Sequence, residues 1–332
     1  MSDKILTISI AAYNVEKYIS NTLDSLLVDK VLSDIEVLII DDGGNDNTVN
    51  IAKTYEDKYP DTFKVVHKSN GGYGSTVNYS VKNARGKYFK LLDGDDYFDK
   101  DGLVRLIEVL KNNDVDVVFT QYNYAFPDKL KSAIWFRDDK VSKVLDVSDF
   151  YLNEGTPMHS ITYRTECIRE SKMLLKEHVL YTDNTYAAIP FKCVKTILFE
   201  NFVVYNYRLG LEGQSVNRKS LIKHIEESKD VSINLVNFYK SIENIDLPSK
   251  KCIKINVAST CVNYVAAVLK MKMSFSSLKR LKEFDAMIKN ISIDIYEKMG
   301  TLDRKCSKAL NMIRKSGYIL YWLFAFVYRF ID

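Results

Sequence analysis

The sequence predicts an α/β protein built on an open, mostly parallel sheet. Five apolar, strand-like runs alternate with helical segments over about the first 120 residues, and each run is apolar along its whole length. Continuous β-branched runs of this kind are typical of parallel strands that helices bury on both faces. A change to helical periodicity from about residue 219 predicts a C-terminal helical appendage.

The predicted elements follow one another as repeated strand-helix units. The strands are 5–12, 35–40, 63–67, 88–92 and 115–120, and the helices between them are 15–28, 47–58, 76–84 and 103–110. The first helix carries apolar residues at helical spacing from Val15 to Leu27. Asn14 precedes it and suits the N-cap position, where a side-chain oxygen accepts a backbone N–H.

Acidic residues stand at the ends of two predicted strands. Asp93, Asp95 and Asp96 follow the strand 88–92, and Asp41 and Asp42 follow the strand 35–40. Ligands of open α/β sheets bind beyond the carboxyl ends of the strands, so the two clusters are expected to meet at one pocket. Crowded carboxylates repel one another and are stabilised by a hard divalent cation, which takes further ligands from phosphate. The alternative is a polar turn, since Asp and Gly are ordinary turn residues.

The turns of the sequence exclude two common nucleotide-binding folds. The residues after the first strand, Ala11 to Asn14, contain no glycine, which argues against the G-x-G-x-x-G turn of NAD-binding proteins. The G-x-x-x-x-G-K-[ST] phosphate loop is also missing. Glycines cluster instead at Gly71, Gly72 and Gly74, where backbone amides could face a diphosphate or simply form a tight turn.

Four motifs occur in an order that resembles the family 2 glycosyltransferases. They are SIAAYN at 9–14, IIDDGGNDNT at 39–48, NGG at 70–72 with Asn78, and LDGDD at 92–96. Two later segments, 158–164 and 205–210 with 213–216, resemble bacterial members of capsule or exopolysaccharide type. The resemblance implies a GT-A fold, a Rossmann-like catalytic domain over 1–218 followed by the helical region 219–332. It also implies transfer of a sugar from a UDP-sugar with inversion at the anomeric carbon.

The resemblance assigns roles in a nucleotide and metal site. Tyr13 matches the aromatic that stacks on the base, and Asp42 matches the acid that accepts the uracil imide hydrogen. Asp93 matches the first acid of the DxD motif, which reaches the ribose or the metal. Asp95 matches the metal ligand, so Mn²⁺ or Mg²⁺ is the implied cofactor. The implied nucleotide-binding set is completed by Ala11, Asn70 and Gly71.

A general base is implied beyond the DxD motif, because an inverting transfer needs a base within hydrogen-bond reach of the acceptor hydroxyl. The family places it as the Asp of a Glu-Asp pair at the start of a helix. The matching stretch, 177–184, has Thr182 in place of the Glu and Asp183 in the base position. The alternative role of Asp183 is to cap the helix that follows.

Four further side chains are candidates for contacts with the donor or the acceptor. His159 and His178 are expected to line the pocket, the first in a segment that resembles an acceptor-side motif and the second just before the base. Arg208 and Gln214 are expected to close over the donor diphosphate, with a solvated loop as the alternative for both. No histidine has zinc-site spacing with a second His or Cys.

The composition predicts a cytoplasmic globular enzyme. The chain has 332 residues, of which 46% are hydrophobic and 27% charged. Its five cysteines lack C-x-x-C spacing, which argues against a disulfide framework or a zinc ribbon. The apolar run 5–12 is too short for a secretory signal and is better used as the first strand.

The C-terminal region predicts helices at 221–242, 250–270, 276–299 and 303–330, and its tail is basic and aromatic. The last 32 residues hold six Lys or Arg against two Asp, an excess that equals the formal net charge of +4. The apolar run 318–328 is shorter than the roughly 20 residues that a helix needs to span a bilayer. Aromatic residues flanked by basic ones suit a peripheral anchor through 304–330 on the inner face of the cell membrane. The alternative is a helix docked on the protein itself or on a second subunit.

The sequence thus favours a metal-dependent inverting glycosyltransferase that extends a glycan or lipid-linked saccharide in cell-surface polysaccharide synthesis. A sugar nucleotidyltransferase is disfavoured by the missing N-terminal Gly-rich loop. A non-catalytic partner subunit is disfavoured by the full set of Asp42, Asp93, Asp95 and Asp183. Nucleic acid is not an expected partner, because the catalytic half is not basic and the aromatic run lacks interleaved basic residues. Homo-oligomerisation stays open.

Overall fold

Residues 4–136, 141–149, 154–211, 214 and 217–330 are described by a computed structural model. The chain divides into two units. The first unit comprises 1–150, 157–179 and 193–211, and the second comprises 151–156, 180–192 and 212–332.

The first unit is organised around one sheet of ten strands within the described residues. The strands are β1 (Lys4–Ala12), β2 (Ile35–Asp41), β3 (Phe63–His67), β4 (Gly86–Asp93), β5 (Tyr97–Phe98), β6 (Val117–Phe126), β7 (Lys129–Ala133), β8 (Val144–Asp146), β9 (Ile161–Arg164) and β10 (Thr196–Arg208). The spatial order is β3-β2-β1-β4-β9-β6-β10-β5, with β7 paired to β6 and β8 to β10.

Strands β1 to β4 form the parallel part of this sheet, as the sequence predicts, with β1 between β2 and β4. All seven residues of β2 are buried, which is the pattern expected for a strand covered on both faces. Strand β9 then runs antiparallel between β4 and β6, and β10 pairs parallel with β6. The α/β class is confirmed, and the complete sheet is mixed.

Five helices of the first unit lie within the described residues. They are α1 (Glu16–Asp24), α2 (Thr48–Lys58), α3 (Tyr73–Asn83), α4 (Lys100–Asn112) and α5 (Thr165–Glu170). Helix α4 shows why they form: Leu103, Leu106, Ile107 and Leu110 recur at helical spacing and are all buried. Its N-cap Asp99 accepts a hydrogen bond from the Gly102 amide at 2.8 Å.

The second unit is helical throughout its described elements. These are α6 (Asp183–Ala188), α7 (Arg218–Lys223), α8 (Ile225–Ile242), α9 (Lys250–Lys270), α10 (Phe275–Ile291), α11 (Ile293–Met299), α12 (Lys305–Lys315) and α13 (Tyr321–Tyr328). Helix α9 lies at the centre and contacts the other seven. By length and composition α9 could cross a membrane, but 83% of its most apolar window is buried, which is the pattern of a core helix.

Three predicted helices are interrupted in the structure, and the segment 221–242 is divided at His224 between α7 and α8. The segment 276–299 breaks at Ser292, whose extended backbone lets its side chain accept from the Ile295 amide and cap α11. The segment 303–330 breaks at Gly317 and Tyr318, which both adopt positive φ. A left-handed residue ends a helix because it cannot continue the right-handed turn.

The compact units differ from the domain limits 1–218 and 219–332 that the sequence suggests. Residues 180–192 belong to the second unit, because α6 packs against α8 and α9. Asp183 therefore lies in the helical unit, and not in the unit that carries the sheet.

Candidate functional site

The end of strand β1 fixes both acidic turns of the first unit. The Ala12 carbonyl accepts the backbone N–H of Asp42 at 2.9 Å, and the Ala11 carbonyl accepts that of Gly94 at 3.1 Å. A Cβ at Gly94 would lie 2.9 Å from the Ala11 oxygen and 3.0 Å from Val15 Cγ2. Only glycine fits there, so the acidic turn, residues 93–96, can sit directly on β1.

The carboxylate of Asp42 is buried and holds the glycine turn. Its Oδ1 accepts from the Gly71 amide at 2.9 Å and from Lys68 Nζ at 2.8 Å, and its Oδ2 accepts from the Gly72 amide at 2.7 Å. The expectation that these amides face a diphosphate is therefore wrong, because they serve a protein carboxylate. The alternative prediction, that these glycines form a tight turn, is the correct one.

Lys68 is a cation of this site that sequence reasoning missed. Besides Asp42, its ammonium donates to Ser75 Oγ at 2.9 Å and to the Ser69 carbonyl at 2.6 Å. Asn70 lies next to it and donates from Nδ2 to the Asp42 carbonyl at 2.9 Å. The signal in the sequence was a lysine directly after strand β3, at the same sheet end as the acids.

The segment 175–178 packs on the glycine turn. The His178 amide donates to the Gly71 carbonyl at 2.7 Å, and a Cβ at Gly72, where φ is 77°, would lie 2.9 Å from the His178 nitrogen. His178 itself has a φ of 54° and an exposed side chain. The structure thus brings its backbone, and not its ring, to the predicted site.

Tyr13 and Asn14 extend from the end of β1. Tyr13 is 51% exposed, so one face of its ring is open to a planar ligand. Asn14 does not cap α1 as expected, since the N-cap is Val15. With a φ of 54°, Asn14 instead accepts the Asn45 amide on its Oδ1 at 2.8 Å and ties the two loops together.

Three carboxylates converge in the acidic turn. The ligand oxygens of Asp93, Asp95 and Asp96 lie within 4.8 Å of one another. Asp96 is fully buried, and protein donors occupy both of its oxygens: the Arg208 amide at Oδ1 and the Tyr205 hydroxyl at Oδ2, each at 2.7 Å. Burial and the charges of Asp93 and Asp95 raise the pKa of Asp96 well above its ordinary value.

Asp93 and Asp95 are the two acids of this turn whose position fits a metal site. Both are half-buried, and burial raises the pKa of Asp95. Two carboxylates are the protein ligand set expected for Mg²⁺ or Mn²⁺ bound together with a phosphate, so the donor set fits such an ion. Asp96 acts as the anchor of the turn.

Arg208 lies beside the acidic turn at the end of β10. Its guanidinium donates to the Asp95 carbonyl and to Asn21 Oδ1, and it stacks 4.7 Å from the Tyr97 ring centroid. The structure thus brings the predicted Arg208 to this site. Gln214 lies in the second unit, and its neighbours 213, 215 and 216 are outside the described residues.

His159 is held in an aromatic stack behind the acidic turn. Its ring lies parallel to Tyr207 at 4.4 Å and to Tyr122 at 5.0 Å, and it meets the edge of Tyr205 at 4.8 Å. Burial and the nearby Lys90 ammonium lower the pKa of His159 to about 3. The imidazole is therefore neutral at physiological pH.

Lys90 is a buried cation that sequence reasoning also missed. It lies on β4, is fully buried, and donates to the carbonyls of His159 at 2.8 Å and Ile161 at 3.1 Å. Burial lowers its pKa to about 7. These bonds pin the segment carrying His159 to the strand that ends in the acidic turn.

Asp183 begins helix α6 in the second unit. Thr182 occupies the N-cap position of this helix, and no side chain makes a capping hydrogen bond there. The alternative role predicted for Asp183, capping the helix, is therefore wrong. Asn184 Nδ2 donates to Asp183 Oδ1 at 3.2 Å, and burial raises the pKa of the Asp183 carboxyl. Asp183 lines a cavity of about 320 Å³ within this unit, whose polar lining includes Asn184, Ser228, Thr260, Asn263 and Lys270.

Residues 7–145 match the family described as Glycosyl transferase family 2. An uncharacterized glycosyltransferase of Rickettsia typhi is 30% identical over 227 residues, which is 67% of this chain and 69% of that protein. The chain belongs to glycosyl transferase family 2. The family 2 enzyme class expected from the four motifs is thereby confirmed.

Two solved structures show the same fold as this family 2 glycosyltransferase. S. aureus TarS 1–349 in complex with UDP-GlcNAc has a TM-score of 0.65 and 18% identity, covering 98% of this chain and 91% of TarS 1–349. The mannosyltransferase PcManGT of Pyrobaculum calidifontis, in complex with GDP-Man and Mn²⁺, has a TM-score of 0.50 and 15% identity, covering 98% and 87%. These similarities confirm the GT-A-like fold.

Proposed function

We propose that this glycosyltransferase transfers a hexosyl or N-acetylhexosaminyl group from a UDP-sugar to an acceptor hydroxyl, with inversion. The observation that carries the proposal is the acidic turn, where the carboxylate oxygens of Asp93, Asp95 and Asp96 converge within 4.8 Å of one another at the end of a strand. The structural likeness to TarS, whose complex contains UDP-GlcNAc, supports a UDP-linked donor.

The nucleotide is proposed to bind at the end of β1. Tyr13 offers a half-exposed ring for stacking on the base. Asp42 Oδ2 accepts from one protein donor, the Gly72 amide, and a carboxylate oxygen has capacity for a second. That capacity supports the role implied for Asp42, acceptance of the uracil imide hydrogen. Ala11, Asn70 and Gly71 shape this part of the site through their backbone and amide contacts.

The donor diphosphate is proposed to lie at the acidic turn. Asp93 and Asp95 would hold Mn²⁺ or Mg²⁺, and PcManGT, which has this fold, is described with Mn²⁺. A bound divalent ion stabilises charge that develops on a departing diphosphate. Arg208 and Lys68 are the cations of the first unit that we propose to orient the phosphates.

Asp183 is proposed as the general base that removes the proton from the acceptor hydroxyl. Its raised pKa makes the carboxylate a better proton acceptor than an exposed Asp. The Asn184 side-chain amide donates to one carboxylate oxygen of Asp183 and would hold the group in position. Inversion follows from the family resemblance and requires no covalent nucleophile.

The acceptor is proposed to be a glycan or a lipid-linked saccharide of cell-surface polysaccharide synthesis, of capsule or exopolysaccharide type. Peripheral contact with the inner face of the cell membrane through 304–330 belongs to the same proposal, because a lipid-linked acceptor is presented there. His159 and His178 remain proposed contacts for donor or acceptor, although the His178 ring is exposed and His159 is enclosed by tyrosines.

The experiment that tests this function measures UDP release from a panel of UDP-sugars, with Mn²⁺ and with a chelator. We expect turnover or hydrolysis of one donor, dependent on Mn²⁺ and lost in Asp95→Asn. Metal-dependent UDP binding without any turnover, tested with acceptor glycosides present, would indicate a non-catalytic partner subunit. Absence of UDP binding would overturn the nucleotide-site assignment.

A further inference from the structure

Helix α13 divides its apolar residues between two faces. Tyr321, Ala325 and Tyr328 are buried in the second unit, where α13 contacts α9. The remaining face is exposed, and we name it the C-terminal apolar face. It consists of Ile319, Leu323, Phe326, Val327 and Phe330, together with Phe275 at the start of α10.

Two ring contacts join members of this face to their neighbours. The rings of Phe275 and Trp322 meet edge to face at 5.1 Å, which joins the start of α10 to α13. Phe326 and Phe330 contact each other at 5.2 Å. Phe275 is 80% exposed, Ile319 76% and Phe330 75%. Single exposed apolar residues need no explanation, but a contiguous apolar patch indicates an interaction surface.

The chain segments that carry this face are predominantly basic, and the acids that contact them, Glu226 and Asp285, are paired with Arg280 and Arg314. Residues 247–282 contain eight Lys or Arg and no Asp or Glu, and residues 304–331 contain six and none. Lys282 Nζ lies 5.2 Å from the Tyr318 ring centroid, so the two segments meet beside Ile319. The next acid, Glu283, is 3.7 Å from Lys279. Exposed basic residues that flank the face along the chain are Lys272, Lys315 and Arg329.

The charge distinguishes between the surfaces that could cover the face. A two-fold dimer would bring the same predominantly basic margins of two copies together, which is unfavourable. An anionic bilayer supplies both complements: acyl chains for the apolar residues and negative headgroups for the lysines and arginines. Tryptophan, present here as Trp322, is a residue that favours the headgroup level.

We propose that the C-terminal apolar face docks on an anionic phospholipid bilayer, with α13 lying along the interface and Phe275 inserting beside it. The proposal deepens the proposed function by naming its membrane partner and the residues that touch it. Only the biological purpose of docking rests on the proposed function, because docking itself requires neither a sugar donor nor turnover.

The test is flotation of the full chain with two kinds of vesicles, one mixing phosphatidylglycerol with phosphatidylcholine and one of phosphatidylcholine alone. The variant combines Leu323→Gln, Phe326→Gln and Phe330→Gln, all at exposed positions. The matched control combines Leu130→Gln, Ile134→Gln and Leu174→Gln, which are exposed apolar residues of the first unit. We expect binding to the anionic vesicles, reduced at least about tenfold in the variant and unchanged in the control.

A second readout locates the face in the bilayer. Brominated phosphatidylcholine in the anionic vesicles should quench Trp322 fluorescence, and Trp322→Phe should remove that quenching while Trp135 still emits. Any of three results would overturn the proposal: no binding of the wild type, equal binding of variant and wild type, or equal binding to both kinds of vesicle. A dimer in solution that the variant dissociates would assign the face to a second copy. UDP binding, measured without vesicles, separates these failures from failure of the proposed function.

Discussion

The phenol of Tyr205 donates a 2.7 Å hydrogen bond to the Asp96 carboxylate, and so joins strand β10 to the acidic turn. The same oxygen accepts the Asp93 backbone N–H at 3.1 Å. Tyr205 is fully buried against Phe98 and His159. One hydroxyl therefore sets the position of the first and last acids of the turn, while Asp95 between them makes no contact with it.

Replacing Tyr205 by Phe is expected to weaken metal-dependent UDP binding without unfolding the first unit. The change leaves a buried carboxylate oxygen and a backbone N–H without their partner, at a cost of about 1 to 3 kcal/mol in the free energy of unfolding. Because the two bonds position the acidic turn, we expect the metal-dependent affinity for UDP to fall by about tenfold. UDP affinity measured by calorimetry over a series of Mn²⁺ concentrations checks this. The matched control is Tyr88→Phe, because Tyr88 Oη also donates to a carbonyl, Asn113, and accepts an amide, Val115. Equal losses of affinity in both variants would argue that Tyr205 has no special role.

Asp95→Asn and Asp96→Asn are expected to fail in different ways. Asp95 is half-buried with a raised pKa, so the neutral amide relieves repulsion and leaves stability intact while metal-dependent binding is lost. Asp96→Asn instead places an amide against the Tyr205 hydroxyl or the Arg208 N–H, at a cost of about 1 to 3 kcal/mol in the free energy of unfolding. Urea unfolding with and without Mn²⁺ distinguishes the two. Loss of stability in Asp95→Asn with full metal binding would reverse the assignment.

The N-terminal sheet could be read from the sequence, whereas strand β10 could not. Strands β1 to β4 are continuous apolar runs, and their pattern is local. Strand β10 is interrupted by Glu200 and Asn201 and shifts register against β6 between Glu200 and Val203. The bond from Tyr205 to Asp96 spans 109 residues, and no local pattern encodes it.

In the site, likewise, the types of residue could be predicted from the sequence, but their hydrogen-bond partners could not. The acids of the turn were predictable, because carboxylates crowded at a strand end indicate a cation. The anchoring of Asp96 by hydrogen-bond donors from β10 was not predictable, because those donors are distant in the sequence. The glycines likewise predicted either amides that face a diphosphate or a tight turn, and only the fold shows that Asp42 accepts the Gly71 and Gly72 amides.

Gly72→Ala is expected to destabilise the protein far more than Gly210→Ala. Both glycines have positive φ, at 77° and 88°, so both variants carry the backbone penalty of about 1 to 2 kcal/mol. A Cβ at Gly72 would also lie 2.9 Å from the His178 nitrogen, whereas a Cβ at Gly210 meets nothing within 4 Å. The additional overpacking at Gly72 should cost roughly 1 to 3 kcal/mol. Urea unfolding of the two variants side by side checks this. Equal midpoints would contradict the close contact between Gly72 and the His178 backbone.

Asp183→Asn is expected to abolish transfer while leaving metal-dependent UDP binding unchanged. Loss of a general base lowers the rate about 100- to 10,000-fold. The raised pKa of Asp183 also predicts that the transfer rate rises with pH above the range of an ordinary carboxylate. Single-turnover transfer and UDP calorimetry together test the assignment. The control is Asp294→Asn in the same unit, whose carboxylate pairs with Lys254 and Tyr239 and should not affect transfer.

His159→Phe is expected to remove an acid sensitivity of the folded state. The folded pKa of His159, about 3, lies below the ordinary value of 6.5, so on acidification the unfolded chain takes up this proton first. The contribution of the neutral His159 to the free energy of unfolding is complete above pH 6.5, and it falls by about 1.4 kcal/mol per pH unit below that value. Phenylalanine can keep the stacking on Tyr122 and Tyr207. No hydrogen bond is lost at Nδ1 of His159, because that atom is buried without a hydrogen-bond partner.

The measurement is urea unfolding of wild type and His159→Phe at about pH 7.5 and about pH 5.5, where the calculated difference from one such histidine is about 1.4 kcal/mol. Carboxylates with raised pKa values, such as Asp183, respond in the opposite direction but are common to both proteins, so the comparison cancels them. The wild type should lose more stability between the two conditions than the variant does. Parallel losses would mean that His159 is protonated in the folded protein, and that the stack between Tyr122 and Tyr207 admits water.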